Sequence, residues 1–169
     1  MEEKKKQAKE RAILPTFSIY HGNPENTGTA MTVRMQPATL RQGGFVQFEI
    51  ANQATAGVQT EEGRVYPTFD WDKRVAFRLN PVEVAEMVRC LRGMTESVRD
   101  GAGYIHKGQK GSAKILFAHA VEPRPHFNLK AYTLKADGAE RTIGIDVFPA
   151  EAMALEMALS GSFGRLCFG

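Results

Sequence analysis

The sequence FDWDKRVAFRLNPVEVAEMV, residues 69–88, carries a strand pattern that ends directly at a helix start. Alternation of apolar and polar side chains predicts a strand over Lys73–Leu79. Asn80 can cap the helix that follows, Pro81 suits its first position, and Glu83 stands where a capping-box carboxylate reaches back. The sequence therefore predicts a strand followed at once by an amphipathic helix.

The chain before this stretch shows the same strand periodicity. Three more strands are predicted there, over Phe17–His21, Ala30–Gln36 and Phe45–Ala51. Each has one core face and one wet face, and the wet face of the third carries Phe45, Gln47 and Glu49. Residues 52–67 are rich in turn residues, so we expect a long mobile connection there.

The chain after the first helix repeats the order of the first half. Strands are predicted over Tyr104–Lys107, Ala113–Ala120, Phe127–Lys135 and Thr142–Phe148. Pro149 then opens a helix that runs to about Ser160, with Gly161 beyond it as a stop. Two successive units of four strands and one helix result, although the sequences of the two halves are not visibly alike.

Composition limits the class of protein. With 169 residues, 43% of them hydrophobic, the chain fits one globular domain, predicted over residues 16–169. Residues 1–15 are charge-rich and are predicted to be a disordered tail. Because the start shows neither the apolar core of a secretory signal nor a membrane-length apolar run, we expect a cytoplasmic protein without membrane contact.

Charge is distributed unevenly along the chain. The net charge is only +3, but the region from Arg99 to Arg141 holds eight lysines and arginines against four acidic residues. Such a surplus is typical of a polyanion-binding surface, and equally of a solvated sheet face. The distribution alone leaves both interpretations open.

No catalytic or cofactor signature stands out. The four histidines lie in separate segments, and the two cysteines, Cys90 and Cys167, show no metal-type spacing and are interpreted as buried thiols. Asp70 and Asp72 could share a strand face and suggest a metal site, but with Lys73 next to them a turn or salt-bridge role is favoured. We therefore predict a protein that is not an enzyme and that needs no cofactor.

Binding of single-stranded nucleic acid requires cations for phosphates and exposed aromatic rings for bases, and the sequence interleaves the two. In the predicted strand Lys73–Leu79, Arg74 and Arg78 occupy the wetter face. Lys130 and Tyr132 share a face of the seventh strand, as a stacking ring beside a donor. Any single aromatic residue is more often part of the core, so only the ensemble argues for binding.

Residues 69–88 closely resemble the Whirly family pattern, in which an aromatic residue, Asp-Trp, an acidic residue and a lysine precede a Ser/Asn-Pro-x-Glu-Val helix start. FSIYHG and TAMTVRMQPATL resemble the first two strands of that family, and TIGIDVFPAEAMALEMALSGSFGRLCFG resembles its last strand and helix. The resemblance covers about residues 17–169 and is most specific around residues 69–88.

The resemblance implies an α+β fold of two antiparallel four-stranded sheets packed together, each followed by a helix. It also implies a homotetramer held by the helices, with single-stranded DNA along the sheet edges. The family's lysine-rich segment is replaced here by HGNPENTGTAMTV, residues 21–33, which lacks both lysines. An organellar transit peptide is also missing, so a bacterial or phage origin is expected.

The resulting hypothesis is a sequence-tolerant single-stranded DNA-binding protein that serves replication, recombination or repair. Relatives that bind guide RNA or act in transcription keep two alternatives open, an RNA-binding protein and a transcriptional regulator. A third alternative is a structural oligomer or protein-interaction module. The candidate nucleic-acid-binding residues are Tyr20, Arg34, Phe45, Gln47, Phe69, Trp71, Lys73, Arg74, Arg78, Lys107, Lys110, Lys114, Lys130 and Tyr132.

Overall fold

A computed structural model of the protein describes residues 16–109 and 111–169. The predicted tail, residues 1–15, and Lys110 lie outside the described residues. The strands are β1 (Thr16–His21), β2 (Thr29–Gln36), β3 (Phe45–Thr55), β4 (Val58–Thr60), β5 (Gly63–Val65), β6 (Thr68–Phe69), β7 (Val75–Leu79), β8 (Tyr104–Gly108), β9 (Gly111–Ala120), β10 (His126–Lys135) and β11 (Glu140–Val147). The helices are α1 (Pro81–Leu91) and α2 (Pro149–Phe168), with short 3-10 turns at Trp71–Lys73 and Val98–Gly101.

The strands form two antiparallel sheets and one hairpin. In the first sheet the long strands run in the order β1-β2-β3-β7, and the two-residue β6 pairs with the end of β3. The second sheet has the order β11-β10-β9-β8, and β4 pairs only with β5. The α+β architecture with a helix after each sheet is confirmed, and the first sheet gains a fifth short strand.

Both sheets and both helices contribute to one hydrophobic core. β11 packs against β2 and β3, and α1 packs against α2. Phe48 and Phe77 stack in this core with ring centroids 5.2 Å apart. In β7, Val75, Phe77 and Leu79 are buried while Arg78 is exposed, which confirms the predicted faces of this strand.

The two helices begin in the same way and are tied to opposite halves of the chain. Asn80 N–H donates to Glu83 Oε2 at 2.9 Å in α1, and Phe148 N–H donates to Glu151 Oε2 at 2.9 Å in α2. The other oxygen of each glutamate contacts a histidine at 2.8 Å. His106 of β8 meets Glu83 in this way, and His21 of β1 meets Glu151.

Several predicted boundaries are wrong, by two residues at the starts of β7, β9 and β11 and by more elsewhere. The strand predicted from Lys73 begins at Val75, because the chain first makes the 3-10 turn. The predicted connection over residues 52–67 is largely ordered pairing, because β3 continues to Thr55 and the hairpin β4-β5 follows. Helix α2 continues past Gly161 to Phe168.

Contacts at the end of α2 explain why glycine does not stop it. Ala38 N–H donates to the Arg165 carbonyl at 3.0 Å, and a side chain at Gly44 would collide with the Leu166 backbone. This docking onto the β2-β3 connection holds the last turns in place.

The two cysteines differ in burial. Cys167, in the last turn of α2, is only half-buried, which corrects the prediction for it. Cys90 is buried, and desolvation raises its pKa to about 11. In the described part of the chain no helix is long and apolar enough to cross a membrane.

Candidate nucleic-acid interface

Exposed aromatic rings gather at one end of the first sheet. They line a cavity of about 510 Å³, here called the aromatic pocket, formed by Tyr20, Tyr66, Pro67, Thr68, Phe69 and Trp71. Tyr20 is 58% exposed and its ring centroid lies 5.6 Å from that of Phe69. Tyr66 is 70% exposed, with the Arg64 guanidinium 5.4 Å from its ring centroid. Three predicted aromatic residues therefore meet here, of which Phe69 and Trp71 are half-buried. The exposed tyrosine rings can stack on bases.

The 3-10 turn that carries Trp71 is fixed by Asp70. Its Oδ1 accepts from Lys73 N–H at 3.2 Å, and its Oδ2 lies 2.8 Å from Lys73 Nζ. The hydrogen bond from the Lys73 side chain is the main reason that the pKa of Asp70 is lowered. The turn and salt-bridge interpretation of this residue is confirmed, and no group of three or more potential metal ligands occurs in the described ranges.

The outer face of the first sheet carries a set of polar contacts that we call the arginine network, Arg34, Gln47, Glu49, Arg74 and Arg78. Glu49 is at its centre and is only 6% exposed. Its Oε1 accepts from Gln47 Nε2 at 2.9 Å and from Arg74 Nε at 3.1 Å. Its Oε2 lies 3.8 Å from Arg34 Nη2. The prediction that Glu49 belongs to a wet face is therefore wrong, because these side chains cover it.

Arg78 joins the network through Gln47. Its Nε donates to Gln47 Oε1 at 3.3 Å, and its guanidinium lies 4.4 Å from the Phe45 ring centroid. Arg34, Gln47 and Arg78 stand directly opposite one another on β2, β3 and β7. Hydrogen bonds thus hold two of the three guanidinium groups on this face, and one of these two also rests on an aromatic ring. The third, that of Arg34, is held by an ion-pair contact.

The outer face of the second sheet differs in character. Lys107, Lys114, Lys130 and Tyr132 lie on it, and we call this surface the lysine face. Tyr132 stands opposite Lys114, and all four side chains are exposed. Within residues 16–109 and 111–169 none of the three lysines has an ion-pair partner. These ammonium groups are available to an anionic ligand.

The two surfaces approach each other at the seam between the sheets. A cavity of about 480 Å³ there includes Arg74, Lys107, Lys135 and Arg141 in its lining. Arg141 Nη1 donates to the Lys73 carbonyl and so links β11 to the 3-10 turn.

The sequence prediction missed four residues of these surfaces, Lys135, Arg141, Tyr66 and Arg64. The signal for the first two was the cationic surplus of the second half, and Tyr66 stands just before the motif of residues 69–88.

Thirteen of the fourteen predicted residues lie in the described part of the chain, where they fall into three places. Tyr20, Phe69 and Trp71 line the aromatic pocket, with Lys73 at its turn. The rest of the first-sheet group, Arg34, Phe45, Gln47, Arg74 and Arg78, forms or contacts the arginine network. Lys107, Lys114, Lys130 and Tyr132 form the lysine face. Lys110 is outside the described residues.

Comparison with solved structures identifies the fold. The plant transcriptional regulator PBF-2 matches with a TM-score of 0.68 at 17% identity, over 91% of this chain and 82% of that one. WHY1 from Arabidopsis thaliana matches with a TM-score of 0.66 at 18% identity, over 92% of this chain and 86% of that one. WHY3 from the same plant gives 0.66 at 18% identity, over 90% and 88%.

These three are Whirly proteins, so the chain has the Whirly fold that its motifs predicted. Neither the models of protein families nor the sequences of curated proteins match this chain. The likeness therefore rests on three-dimensional structure.

Proposed function

We propose that this protein binds single-stranded DNA with little sequence preference, in the cytoplasm of a bacterial or phage-infected cell, and serves replication, recombination or repair. The observation that carries the proposal is the aromatic pocket, whose exposed Tyr20 and Tyr66 rings lie on the same chain as the exposed lysines of the lysine face. The proposal is of a binding protein that uses no cofactor and catalyses no reaction.

The aromatic rings suit the bases of a nucleotide, and the lysines suit its phosphates. Aromatic rings stack on bases of any identity, each stacked base contributing about 1–3 kcal/mol, which favours single strands over a closed duplex. Lysines attract phosphates by charge without reading sequence. One solved structure with this fold is that of a plant transcriptional regulator, which agrees with a nucleic-acid partner.

The direct test is a titration of fluorescent oligonucleotides, of about 30 nucleotides, as single-stranded DNA, single-stranded RNA and duplex DNA. We expect the tightest binding to single-stranded DNA and a loss of affinity as salt rises. Tighter binding to RNA would identify a reader of the 2′-hydroxyl and replace the proposed substrate. Absence of binding to every oligonucleotide at low salt would refute nucleic-acid binding and favour a structural module.

The stacking role has its own variant. Tyr20→Ala combined with Tyr66→Ala should weaken single-strand binding by about 30-fold or more, because two stacking surfaces of about 1–3 kcal/mol each are lost. Phe168→Ala is the matched control, since Phe168 is an exposed aromatic residue at the end of α2, away from the aromatic pocket. Equal losses in both variants would contradict the role of the pocket.

We also propose that the protein assembles as a homotetramer through its helices. Val82 on α1 and Met153 and Met157 on α2 are exposed apolar side chains, which is typical of a surface covered by another copy. Light scattering should give the mass of four chains, and Met157→Glu should give smaller species. Met94→Glu, at an exposed position just beyond α1, should leave the mass unchanged.

A further inference from the structure

Glu49 is an unusual residue for a surface proposed to bind an anion. It lies on the outer face of the first sheet, and its carboxylate is covered by the side chains of Arg34 and Arg74. Thr32 Oγ1 also lies 3.5 Å from its Oε2. A covered ion pair contributes little net stability, because desolvation offsets the attraction between the charges. Stability alone is therefore a weak explanation for this carboxylate.

The network leaves hydrogen-bond donors for a ligand. A guanidinium has five N–H donors, and Arg74 uses one on Nε for Glu49 and one on Nη1 for the Trp71 carbonyl. Arg78 uses Nε for Gln47 and rests on the Phe45 ring. Arg74 and Arg78 are thus anchored through Nε, and both side chains reach the protein surface. A planar guanidinium held in this way is suited to phosphate oxygens.

Two of the arginines lie in a row that runs across the strands of the first sheet. Arg34 on β2 and Arg78 on β7 stand on either side of Gln47 on β3, in one row across the strands. Adjacent strands are about 4.8 Å apart, so the two arginines are separated by about 10 Å at the backbone. Three guanidinium charges face one carboxylate, which leaves the network with a net positive charge.

We propose that Glu49 is a positioning residue that holds Arg34 and Arg74 directly, and Arg78 through Gln47, as a cluster of phosphate ligands for the single-stranded nucleic acid. This inference rests on the proposed function and adds to it a second phosphate-binding surface, distinct from the lysine face. Glu49 touches no phosphate itself. It reduces the positive charge of the surface by one unit but fixes the orientation of the groups that bind.

The test is the salt dependence of binding to a labelled thymidine oligonucleotide, since each phosphate contact to a single strand contributes about 0.7 to the slope of log K against log salt. Arg34→Ala and Arg78→Ala should each reduce that slope by about 0.7. Glu49→Gln should reduce it by about 0.7 to 1.4 and weaken binding about 5- to 10-fold, although the variant is more positive. Glu96→Gln makes the same change of charge at an exposed position outside the network and should bind at least as tightly as the wild type.

A double-mutant cycle separates positioning from a merely structural role. If Glu49 acts through Arg34, then Arg34→Ala should cost clearly less in the Glu49→Gln background than in the wild type. Where circular dichroism shows that Glu49→Gln is unfolded, Gln47→Leu replaces it. In that background Arg78→Ala should cost clearly less than in the wild type, because Arg78 has already lost its hydrogen bond to Gln47.

Two outcomes would overturn the positioning role of Glu49, and a third would refute nucleic-acid binding itself. Glu49→Gln that binds as tightly as Glu96→Gln, with an unchanged or steeper slope, would show that Glu49 only neutralises charge and would overturn the positioning role. Additive effects in the cycle would overturn it as well. Failure of the wild-type protein to bind any oligonucleotide would instead refute the proposed function, which distinguishes the two failures.

Discussion

The outer faces of the two sheets carry cations in two different states. On the first sheet, Arg34 and Arg74 contact Glu49, and Arg78 is held by Gln47 and Phe45. On the second, the three lysines of the lysine face have no ion-pair partner in the described part of the chain. One face presents groups of fixed direction, and the other presents mobile point charges.

Similar positive charge can therefore serve different steps of binding. A lysine ammonium on a flexible stem attracts phosphates from a distance but fixes no geometry, whereas an anchored guanidinium loses little freedom when it binds. We therefore expect the lysine face to govern overall affinity at low salt. The arginine network should govern how closely the strand is held, and removal of one of its members should destabilise the protein by leaving a covered charge without its partner.

The largest expected effect is on the lysine face. Lys107→Glu, Lys114→Glu and Lys130→Glu together should weaken binding of single-stranded DNA by about 100-fold or more at low salt, because attraction becomes repulsion. Fluorescence anisotropy measures this loss. Thermal unfolding should stay close to that of the wild type, since no ion pair in the described structure is lost. Arg41→Glu, in the β2-β3 connection, is a control for the change of a single cation and should have a small effect.

The next largest effect is on the free energy of unfolding, which should respond differently to substitutions on the two faces. Arg74→Ala should lower the free energy of unfolding by about 1–3 kcal/mol, because the covered Glu49 carboxylate loses its Nε donor. Lys114→Ala should change it by less than about 0.5 kcal/mol, as is usual for an exposed side chain. Urea denaturation of both variants measures the contrast, and equal values would show that the covered Glu49 carboxylate does not depend on Arg74.

The smallest effect comes from exchanging the two cations. Arg78→Lys keeps the charge but loses the donor to Gln47 and the guanidinium over Phe45, so affinity should fall by about 3- to 10-fold. Lys130→Arg on the lysine face should leave affinity nearly unchanged. A loss of the same size in both variants would remove the distinction between fixed and mobile cations.

Local sequence signals predicted most of the fold. The strand faces follow from period-two alternation, and the start of α1 follows from Asn80, Pro81 and Glu83, all of which act within one helical turn. The end of α2 could not be predicted in this way. Gly161 predicts the end of the helix, but docking of the last turns onto the β2-β3 connection keeps the helix intact to Phe168.

The candidate site was predictable in its residues and not in their contacts. Alternation places Glu49 on an outer face, but its burial depends on Arg74, which is distant in sequence and is set by the turn at Asp70. Tyr66 completes the aromatic pocket only because the hairpin β4-β5 brings it there. Such contacts are tertiary, and no short window of the sequence contains them.

The histidine that contacts each helix start comes from the other half of the chain, so the two halves are expected to fold together. Glu83 of α1 is held by His106 from the second half, and Glu151 of α2 is held by His21 from the first. A chain cut between α1 and β8 would therefore give two fragments, each with a helix start that lacks its own partner. Although the architecture repeats, each half completes the other, and the smallest autonomous folding unit is expected to contain both.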